Sequence, residues 1–425
     1  MSEADTRRAI EAIWHLEAAR VIGRAARLVR DVGLAEDIAQ DALVAALETW
    51  PEDGVPANPA AWLMTATRHR ALDHLRHAAL AAGKEGEIGA ELDFQHALAS
   101  EEQLEAIDAR LDDDIGDDLL RLIFTACHPV LPPEARSALT LRVMGGLTTD
   151  EIARAYLKPE ATIAQRIVRA KRTLAAARVP FEVPRGAERQ ARLASVLEVI
   201  YLIFNEGYVA TAGTDWMRPA LCSEALRLGR VLAGLMPDDG EVLGLVALME
   251  IQASRLAARV APDGQPVLLA DQDRRRWDRL LIRRGLDALA RAEALAGHLG
   301  PYALQAAIAA CHARAPRVED TDWARIVGLY DALAQIVPSP VVRLNRAVAV
   351  ARAYGPEAAL ELVDELASEP ALARYHLRHA VRGDLLAQLG RGVEAAAAFE
   401  EAARLTHNAG ERAVMLRRAA EALGG

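Results

Sequence analysis

The stretch LTTDEIARAYLKPEATIAQRIVRAKRTL, residues 147–174, decides the fold of its part of the chain. Its pattern predicts two short helices separated at Lys158-Pro159, because proline disfavours the helical conformation of the preceding residue. Thr148 or Thr149 is suited to cap the first helix. The second helix is predicted to begin with a cap near Thr162. Its apolar residues at helical spacing, which predict a buried face, are Ile163, Ile167, Ala170 and Leu174.

The second of these helices is strongly basic. Residues 161–178 carry five arginine or lysine residues and no aspartate or glutamate, although the chain has a net charge of −10. A basic helix that follows a short helix and a break is typical of a helix-turn-helix that lies on DNA phosphates. The alternative interpretation is a solvated basic face on an ordinary helix pair.

The composition predicts an all-α protein. Hydrophobic residues make up 52% of the 425 residues, but aromatic residues only 4%, and alanine and leucine favour helices over strands. The length is enough for about two to four domains. Three well-separated cysteines predict neither a zinc site nor a disulfide framework, and the polar N-terminus does not resemble a signal peptide. We therefore expect a cytoplasmic protein without membrane spans or metal.

Two amphipathic blocks lie near the N-terminus. LAEDIAQDALVAALETWP, residues 34–51, carries an acidic cluster at its start, and NPAAWLMTATRHRALDHLR, residues 58–76, mixes apolar and cationic positions. The preceding helix is predicted to end at Asp31 to Gly33, with Gly33 as its cap. The spacing of His69, His74 and His77, without a partner set of carboxylates or cysteines, does not favour a metal site.

These blocks resemble region two of the extracytoplasmic function (ECF) class of bacterial sigma factors, and residues 147–174 resemble their region four. The resemblance implies a region-two domain at residues 8–82, a linker at 83–116 and a region-four domain at 117–180. It implies contacts with core RNA polymerase through the β′ clamp helices and the β flap, and with promoter DNA. The residues implied to bind the clamp helices are Asp37, Gln40 and Asp41.

The resemblance also assigns the −10 element to the second block. Single-stranded bases are bound by aromatic or apolar pockets with cations along the backbone. The implied contacts are Asn58, Trp62, Arg68, Asp73 and Arg76. Trp62 could instead be a core tryptophan, and the acidic residues of the first block could instead compensate the positive end of their helix.

In region four, the resemblance implies that the basic helix enters the major groove at the −35 element. Thr162, Gln165 and Arg166 are the expected base readers, and Arg169 and Lys171 the expected phosphate contacts. The turn carries Leu157 where family members often have glycine, which implies a different turn. Nine acidic residues and one arginine lie between residues 101 and 118, at the end of the linker and the start of the region-four domain. The linker is implied to thread the polymerase cleft, or it is a soluble tether.

A long helical extension, residues 184–425, follows the sigma-like part. Gly383, Ala395, Phe399 and Ala402 lie at the small and aromatic positions of a tetratricopeptide (TPR) repeat, and a weaker copy precedes them within residues 341–405. This resembles an ECF subgroup with a TPR-containing extension, and a protein partner is expected for it. Polar residues in the extension could join helices, form a ligand pocket or contact the sigma regions: Asn205, Glu206, Asp271, Asp273 and Arg274.

The sequence therefore predicts an ECF-type sigma factor that directs core polymerase to specific promoters and initiates transcription, with a C-terminal domain that modulates it. A stand-alone helix-turn-helix regulator with a ligand- or protein-binding TPR-like domain is the alternative. An enzyme built on residues 190–300 is a third hypothesis, but neither a nucleophile–base set nor a phosphate-binding glycine loop is present in the sequence.

Overall fold

The computed structural model describes residues 3–82, 118–156, 158–209, 217–261, 266–295, 297–406 and 408–424. The predicted linker at 83–116 and the predicted turn at Leu157 lie outside the described residues. The described chain is helical, which confirms the all-α prediction, and its isolated β-bridge pairs Val260 with Pro266. The chain divides into two compact units, Met1–Leu202 and Ile203–Gly425.

Unit 1 begins with three long helices that pack on one another, followed by the shorter helices around the helix-turn-helix. Trp50 and Phe124 are among its largest fully buried side chains. Its helices are α1 (Glu3–Val29), α2 (Val32–Asp53), α3 (Pro59–Ala82), α4 (residues 118–126), α5 (Pro133–Val143), α6 (Thr149–Tyr156), α7 (Glu160–Ala176) and the first part of α8 (Gly186–Tyr208).

The start of α2 differs from the sequence prediction. Gly33 does not cap α1: it lies inside α2 and is buried, while the Asp31 side chain caps α2 by accepting a hydrogen bond from the N–H of Leu34 at 2.9 Å. Arg30 follows the end of α1 with a φ of 55°. Arg30 therefore takes the left-handed conformation that often ends a helix, here α1. Asp31, the next residue, caps the start of α2 with its side chain. The α2 helix also continues past Trp50 through Pro51 to Asp53.

The predicted start of the extension, residue 184, lies within unit 1. Two residues of α8 bind the carbonyl groups at the end of α4. Arg192 Nη2 donates to the carbonyl of Phe124 at 2.8 Å, and Ser195 Oγ donates to that of Cys127 at 2.6 Å. A Pro-Gly stretch at residues 184–186 indicates a linker by composition, but the helix that follows it belongs by its contacts to unit 1.

Unit 2 is built from helical hairpins. Most of its helices pack mainly against their neighbours in sequence, whereas Pro301–Arg314 packs mainly against Gly240–Ala253, two helices earlier. Contacts between near neighbours in sequence are the pattern of a helical repeat array. Its helices are α9 (Pro219–Leu235), α10 (Gly240–Ala253), α11 (Arg279–Leu295), α12 (Pro301–Arg314), α13 (Trp323–Ile336), α14 (Pro340–Tyr354), α15 (Pro356–Glu365), α16 (His376–Gln388), α17 (Gly392–Leu405) and α18 (Ala409–Gly424).

The small and aromatic positions predicted in the last repeat do meet. A Cβ added at Gly383 in α16 would lie 2.9 Å from the ring of Phe399 in α17, so the absent side chain makes room for the aromatic ring. Phe399 is 1% exposed, and Ala395 and Ala402 are fully buried. The helices pack as the small-residue pattern predicts, whereas assignment to the TPR class stays a prediction.

Candidate nucleic-acid interface

The helix-turn-helix begins with a reciprocal cap at α6. The Thr148 hydroxyl accepts a hydrogen bond from the N–H of Glu151 at 3.1 Å, and the Glu151 carboxylate accepts one from the N–H of Thr148 at 2.7 Å. This capping box satisfies two backbone donors that the first turn leaves free. The predicted cap at Thr148 is therefore confirmed.

The basic helix α7 begins earlier than predicted. It starts at Glu160, directly after Pro159, whose fixed φ suits a helix entry. Thr162 therefore lies in the first turn and is not the cap, so the prediction of a cap near Thr162 is wrong. The buried face is the predicted one: Ile163, Ile167, Ala170 and Leu174.

The outer face of α7 is polar and cationic. Gln165, Arg169 and Arg172 are exposed, and their spacing of four and three residues places them on one side of the helix. Arg169 and Arg172 form no ion pair with the residues that the structure describes. Arg172 was not among the predicted contacts, although its position three residues after Arg169 could have identified it.

The other two predicted cations of α7 flank this face. Arg166 forms an ion pair with Glu134 of α5 at 2.9 Å, and Glu134 is 74% exposed. Lys171 lies on the opposite flank and binds the carboxylate of Glu36, and it also binds Asp37 Oδ1 at 2.8 Å. The five predicted region-four contacts therefore do not form a single surface.

Lys171 is held as a charged group. Burial disfavours its ammonium form, but the charge of Glu36 and the hydrogen bonds to Asp37 and Glu36 outweigh burial, so the pKa of Lys171 is raised. Glu36 is only 3% exposed and also accepts a hydrogen bond from Arg142 Nε at 2.8 Å. A buried carboxylate of α2 is thus shared by one cation from α5 and one from α7.

The acidic face of α2 lies beyond its first turn. Asp37 and Asp41 are exposed and Gln40 is half-buried, and the first turn of α2 contains no acidic residue. Compensation of the helix end, the alternative reading of these carboxylates, acts mainly within the first turn. Their exposure instead leaves Asp41 available for a partner, whereas Asp37 is exposed but paired with Lys171.

The candidate −10 residues lie at the start of α3 and on two of its sides. The Asn58 side chain caps this helix by accepting a hydrogen bond from the N–H of Ala61 at 3.1 Å. Asp73 and Arg76 form an ion pair at 3.1 Å. Helical geometry places Trp62, Asp73 and Arg76 on one face, with Arg68 about 120° away. The five residues therefore do not share one face.

Trp62 is neither fully buried nor fully exposed. It is half-buried and contacts the buried Trp50 edge to face, with ring centroids 5.3 Å apart and an interplanar angle of 75°. One part of its ring therefore packs on the core, and another part remains accessible on the surface of α3.

Unit 1 also holds an open cavity of about 730 Å³ lined by Arg27, Arg30, Arg121 and Arg178. Asp31 and Glu182 line the same cavity and offset part of this positive charge. In addition, Asp118 lies 2.9 Å from Arg121 and 3.8 Å from Arg27. The four arginines therefore face three carboxylates, which leaves only a small excess of positive charge for binding a nucleic acid.

Two of the five polar residues singled out in the extension, Glu206 and Arg274, join structural elements of unit 2. Glu206 forms an ion pair with Arg218 in which both side chains are largely buried. Arg274 Nη1 donates to the carbonyl of His312 at 2.6 Å and to that of Ala315 at 2.5 Å. Asp273 caps a short turn through the N–H of Arg275 at 3.0 Å. These contacts support helix joining over a ligand pocket.

The cysteines do not indicate a reactive or metal-binding thiol. Cys127, Cys222 and Cys311 are free thiols and buried. Burial raises the pKa of Cys127 and of Cys222 to about 12, so both stay protonated at neutral pH. In the part of the chain that the structure describes, no group of three His, Cys, Asp or Glu side chains is placed to hold a metal ion. None of the described helices is long and apolar enough to cross a membrane.

Three protein families match successive parts of the chain. Residues 14–80 match sigma-70 region 2, residues 121–174 match sigma-70 region 4, and residues 192–293 match a family of unknown function (DUF6596). The first two matches cover the acidic face of α2, the α3 surface and the helix-turn-helix.

Similar proteins cover either most of the chain or about two fifths of it. An uncharacterized protein of Rhizobium meliloti (strain 1021), R00370, is 45% identical over 404 residues, which cover 93% of this chain and 91% of that protein. The ECF RNA polymerase sigma factor SigK of Mycobacterium ulcerans (strain Agy99) is 30% identical over 159 residues, 36% of this chain and 78% of SigK.

A probable ECF RNA polymerase sigma factor, SigI of Mycobacterium tuberculosis (strain H37Rv), is 26% identical over 180 residues, 42% of this chain and 59% of SigI. The sigma-70 region 2 and region 4 matches fall on the helices that carry the acidic and basic surfaces described above. The chain therefore belongs to the ECF family of RNA polymerase sigma factors and carries a helical C-terminal extension.

Proposed function

We propose that this sigma factor binds core polymerase through the acidic face of α2, reads a −35 element as duplex with α7, and captures a melted −10 element on α3. One observation carries the proposal: the chain matches sigma-70 region 2 and then sigma-70 region 4, in that order. The region-2 match has exposed acidic residues and the region-4 match has exposed basic residues. The protein acts in the cytoplasm and has no catalytic activity of its own.

The surface of α7 supports a division of labour at the −35 element. Thr162, Gln165 and Arg166 lie in the first two turns, where a recognition helix reaches base edges. Arg169 and Arg172 lie further along and are exposed, so they are suited to phosphates. Lys171 joins them only after it leaves Glu36 and Asp37.

The surface of α3 supports capture of separated strands. The accessible part of the Trp62 ring offers a stacking surface for a base, and Arg76 offers a cation for the DNA backbone. Asn58 fixes the start of the helix and places these groups. Asp73 orients Arg76 through their ion pair.

We propose that the extension modulates initiation through a protein contact. The hairpin packing of unit 2 supports this role, because stacked helical repeats present extended surfaces to partners. Removal of residues 203–425, which leaves unit 1, should change the level or the inducibility of transcription from the cognate promoter. Unchanged transcription on both counts would refute modulation.

Reconstituted transcription tests the main proposal. The purified chain is added to sigma-free bacterial core polymerase on a library of promoter fragments, beside an Arg166→Ala/Arg169→Ala variant. Arg189→Ala is a control, because Arg189 is an exposed cation on α8 outside the proposed interface. We expect initiation only when both core and the chain are present. Arg166→Ala/Arg169→Ala should lose initiation, and Arg189→Ala should keep it. DNA binding without core and no initiation with it would favour a stand-alone regulator.

A further inference from the structure

The region-2 and region-4 parts of unit 1 meet through one buried carboxylate. Glu36 of α2 accepts a hydrogen bond from Arg142 of α5 at 2.8 Å and binds the ammonium of Lys171 of α7. Arg142 also donates to the carbonyl of Leu147 at 3.1 Å, directly before the cap of α6. Both cations therefore connect the helix-turn-helix to α2.

The contact extends from charge to backbone packing. A Cβ added at Gly33 in α2 would lie 3.2 Å from Cβ of Lys171. At a second point, a Cβ added at Gly146, next to the helix-turn-helix, would lie 3.0 Å from Cβ of Ala18 in α1. Such close approach at two separate glycines indicates a fitted interface, because protein interiors tolerate added atoms poorly.

The same contact occupies groups that the proposed function needs elsewhere. Lys171 is a proposed DNA phosphate contact, and Asp37 is a proposed contact of core polymerase, yet they bind each other at 2.8 Å. An ammonium held by two carboxylates is not available to neutralise a phosphate, and a paired carboxylate presents less charge to a partner.

We propose that Glu36, Asp37, Arg142 and Lys171 form an autoinhibitory latch that keeps region 2 and region 4 closed on each other until core polymerase and promoter separate them. This proposal rests on the proposed function, because core and promoter are the ligands that open the latch. The closed form is the one described here. In the open form Asp37 faces core, Lys171 faces DNA, and Glu36 becomes hydrated.

The latch lowers the apparent affinity for core by the fraction of protein that is closed. Loss of the negative charge at Glu36 weakens the attraction of both cations to α2. Arg142 binds α2 through Glu36, and Lys171 binds it through Glu36 and Asp37. The Glu36→Gln variant should therefore bind core more tightly, and a covalent lock across the same contact should bind it more weakly.

A disulfide staple tests the lock. The Gly33→Cys/Lys171→Cys variant places two Cβ atoms close to the spacing of a disulfide, about 3.8 Å. The natural cysteines are buried and free, so they do not compete. Binding of the full-length protein to core is measured by fluorescence anisotropy before and after reduction. We expect the oxidised double variant to bind core at least about tenfold more weakly than the reduced double variant. Core binding by Gly33→Cys alone should be the same under oxidising and reducing conditions.

A second pair of variants keeps the test independent of the staple. Glu36→Gln removes the shared charge, and Glu134→Gln makes the same change at the exposed carboxylate that pairs with Arg166 within region 4. Tighter core binding by Glu36→Gln and unchanged binding by Glu134→Gln are expected. If core binds every form equally, the latch is wrong and the sigma function stands. If no form binds core, the proposed function itself fails, and the latch with it.

Discussion

We expect the two exposed arginines on the outer face of α7 to contribute to the salt dependence of promoter binding. Arg169 and Arg172 are exposed, lie three residues apart and form no ion pair with the described residues. If each contacts one phosphate, each releases its share of condensed counterions. The logarithm of the binding constant then falls with the logarithm of salt by about 0.9 per contact.

The expected magnitude follows directly. An Arg169→Ala/Arg172→Ala variant should reduce the slope by about 1.8, which is two contacts at about 0.9 each. A fourfold increase in salt should then cost the natural protein about twelvefold more affinity than it costs the variant. At low salt the variant binds more weakly than the natural protein, and the difference narrows as salt rises.

The assay is a titration of holoenzyme onto a fluorescent promoter duplex at several salt concentrations. Arg185→Ala/Arg189→Ala provides the matched control, because it also removes two positive charges from exposed sites, one just before α8 and one on it. Its slope should equal that of the natural protein. An unchanged slope in Arg169→Ala/Arg172→Ala would refute the phosphate-contact reasoning, and an equal loss of slope in Arg185→Ala/Arg189→Ala would attribute the effect to net charge alone.

Three further predictions concern stability. Phe399→Ala should destabilise unit 2 by about 3–5 kcal/mol in chemical denaturation, because the ring is 1% exposed and fills the space beside Gly383; a loss below about 1 kcal/mol would contradict this packing. Burial, with the charges of Arg255 and Arg274, lowers the pKa of His312 from its ordinary 6.5 to about 4. The unfolded chain therefore takes up the proton first, and stability that is complete above pH 6.5 falls by up to about 3 kcal/mol as the pH drops towards 4. His312→Gln should flatten this dependence in urea titrations across the range, whereas an unchanged profile would assign it to other groups. Thr148→Ala should cost about 1 kcal/mol through loss of the capping box, measured as thermal stability of the full chain, and no loss would show that the cap is redundant.

Local sequence patterns predicted the helices because their causes are local. The buried face of α7 was predicted residue by residue, since helical spacing fixes which side chains point the same way. Thr148 and Glu151 form a cap for the same reason: both partners lie within one turn. The contact between Gly383 and Phe399 was predictable because small and aromatic positions in consecutive helices favour close packing.

Contacts between distant parts of the chain were not predictable in this way. Helical spacing places Lys171 on a flank of α7, but it does not reveal that Glu36 and Asp37 lie opposite. The start of α2 was misplaced because Gly33 suits a helix end, whereas Asp31 caps a helix start and Arg30 takes the left-handed conformation. The division of the chain into compact units after Leu202 also has no local signal, because contacts such as that of Arg192 with the carbonyl of Phe124 join residues far apart in the sequence.

Promoter opening is the most direct test of the central claim that this chain is a sigma factor with duplex and single-strand surfaces. Permanganate reactivity of thymines is measured on a cognate promoter with core alone, with the chain alone and with both. We predict reactive thymines at the −10 element only when both are present, and loss of that reactivity in Trp62→Ala. Protection of duplex DNA by the chain alone, with no reactive thymine under any condition, would contradict a sigma function.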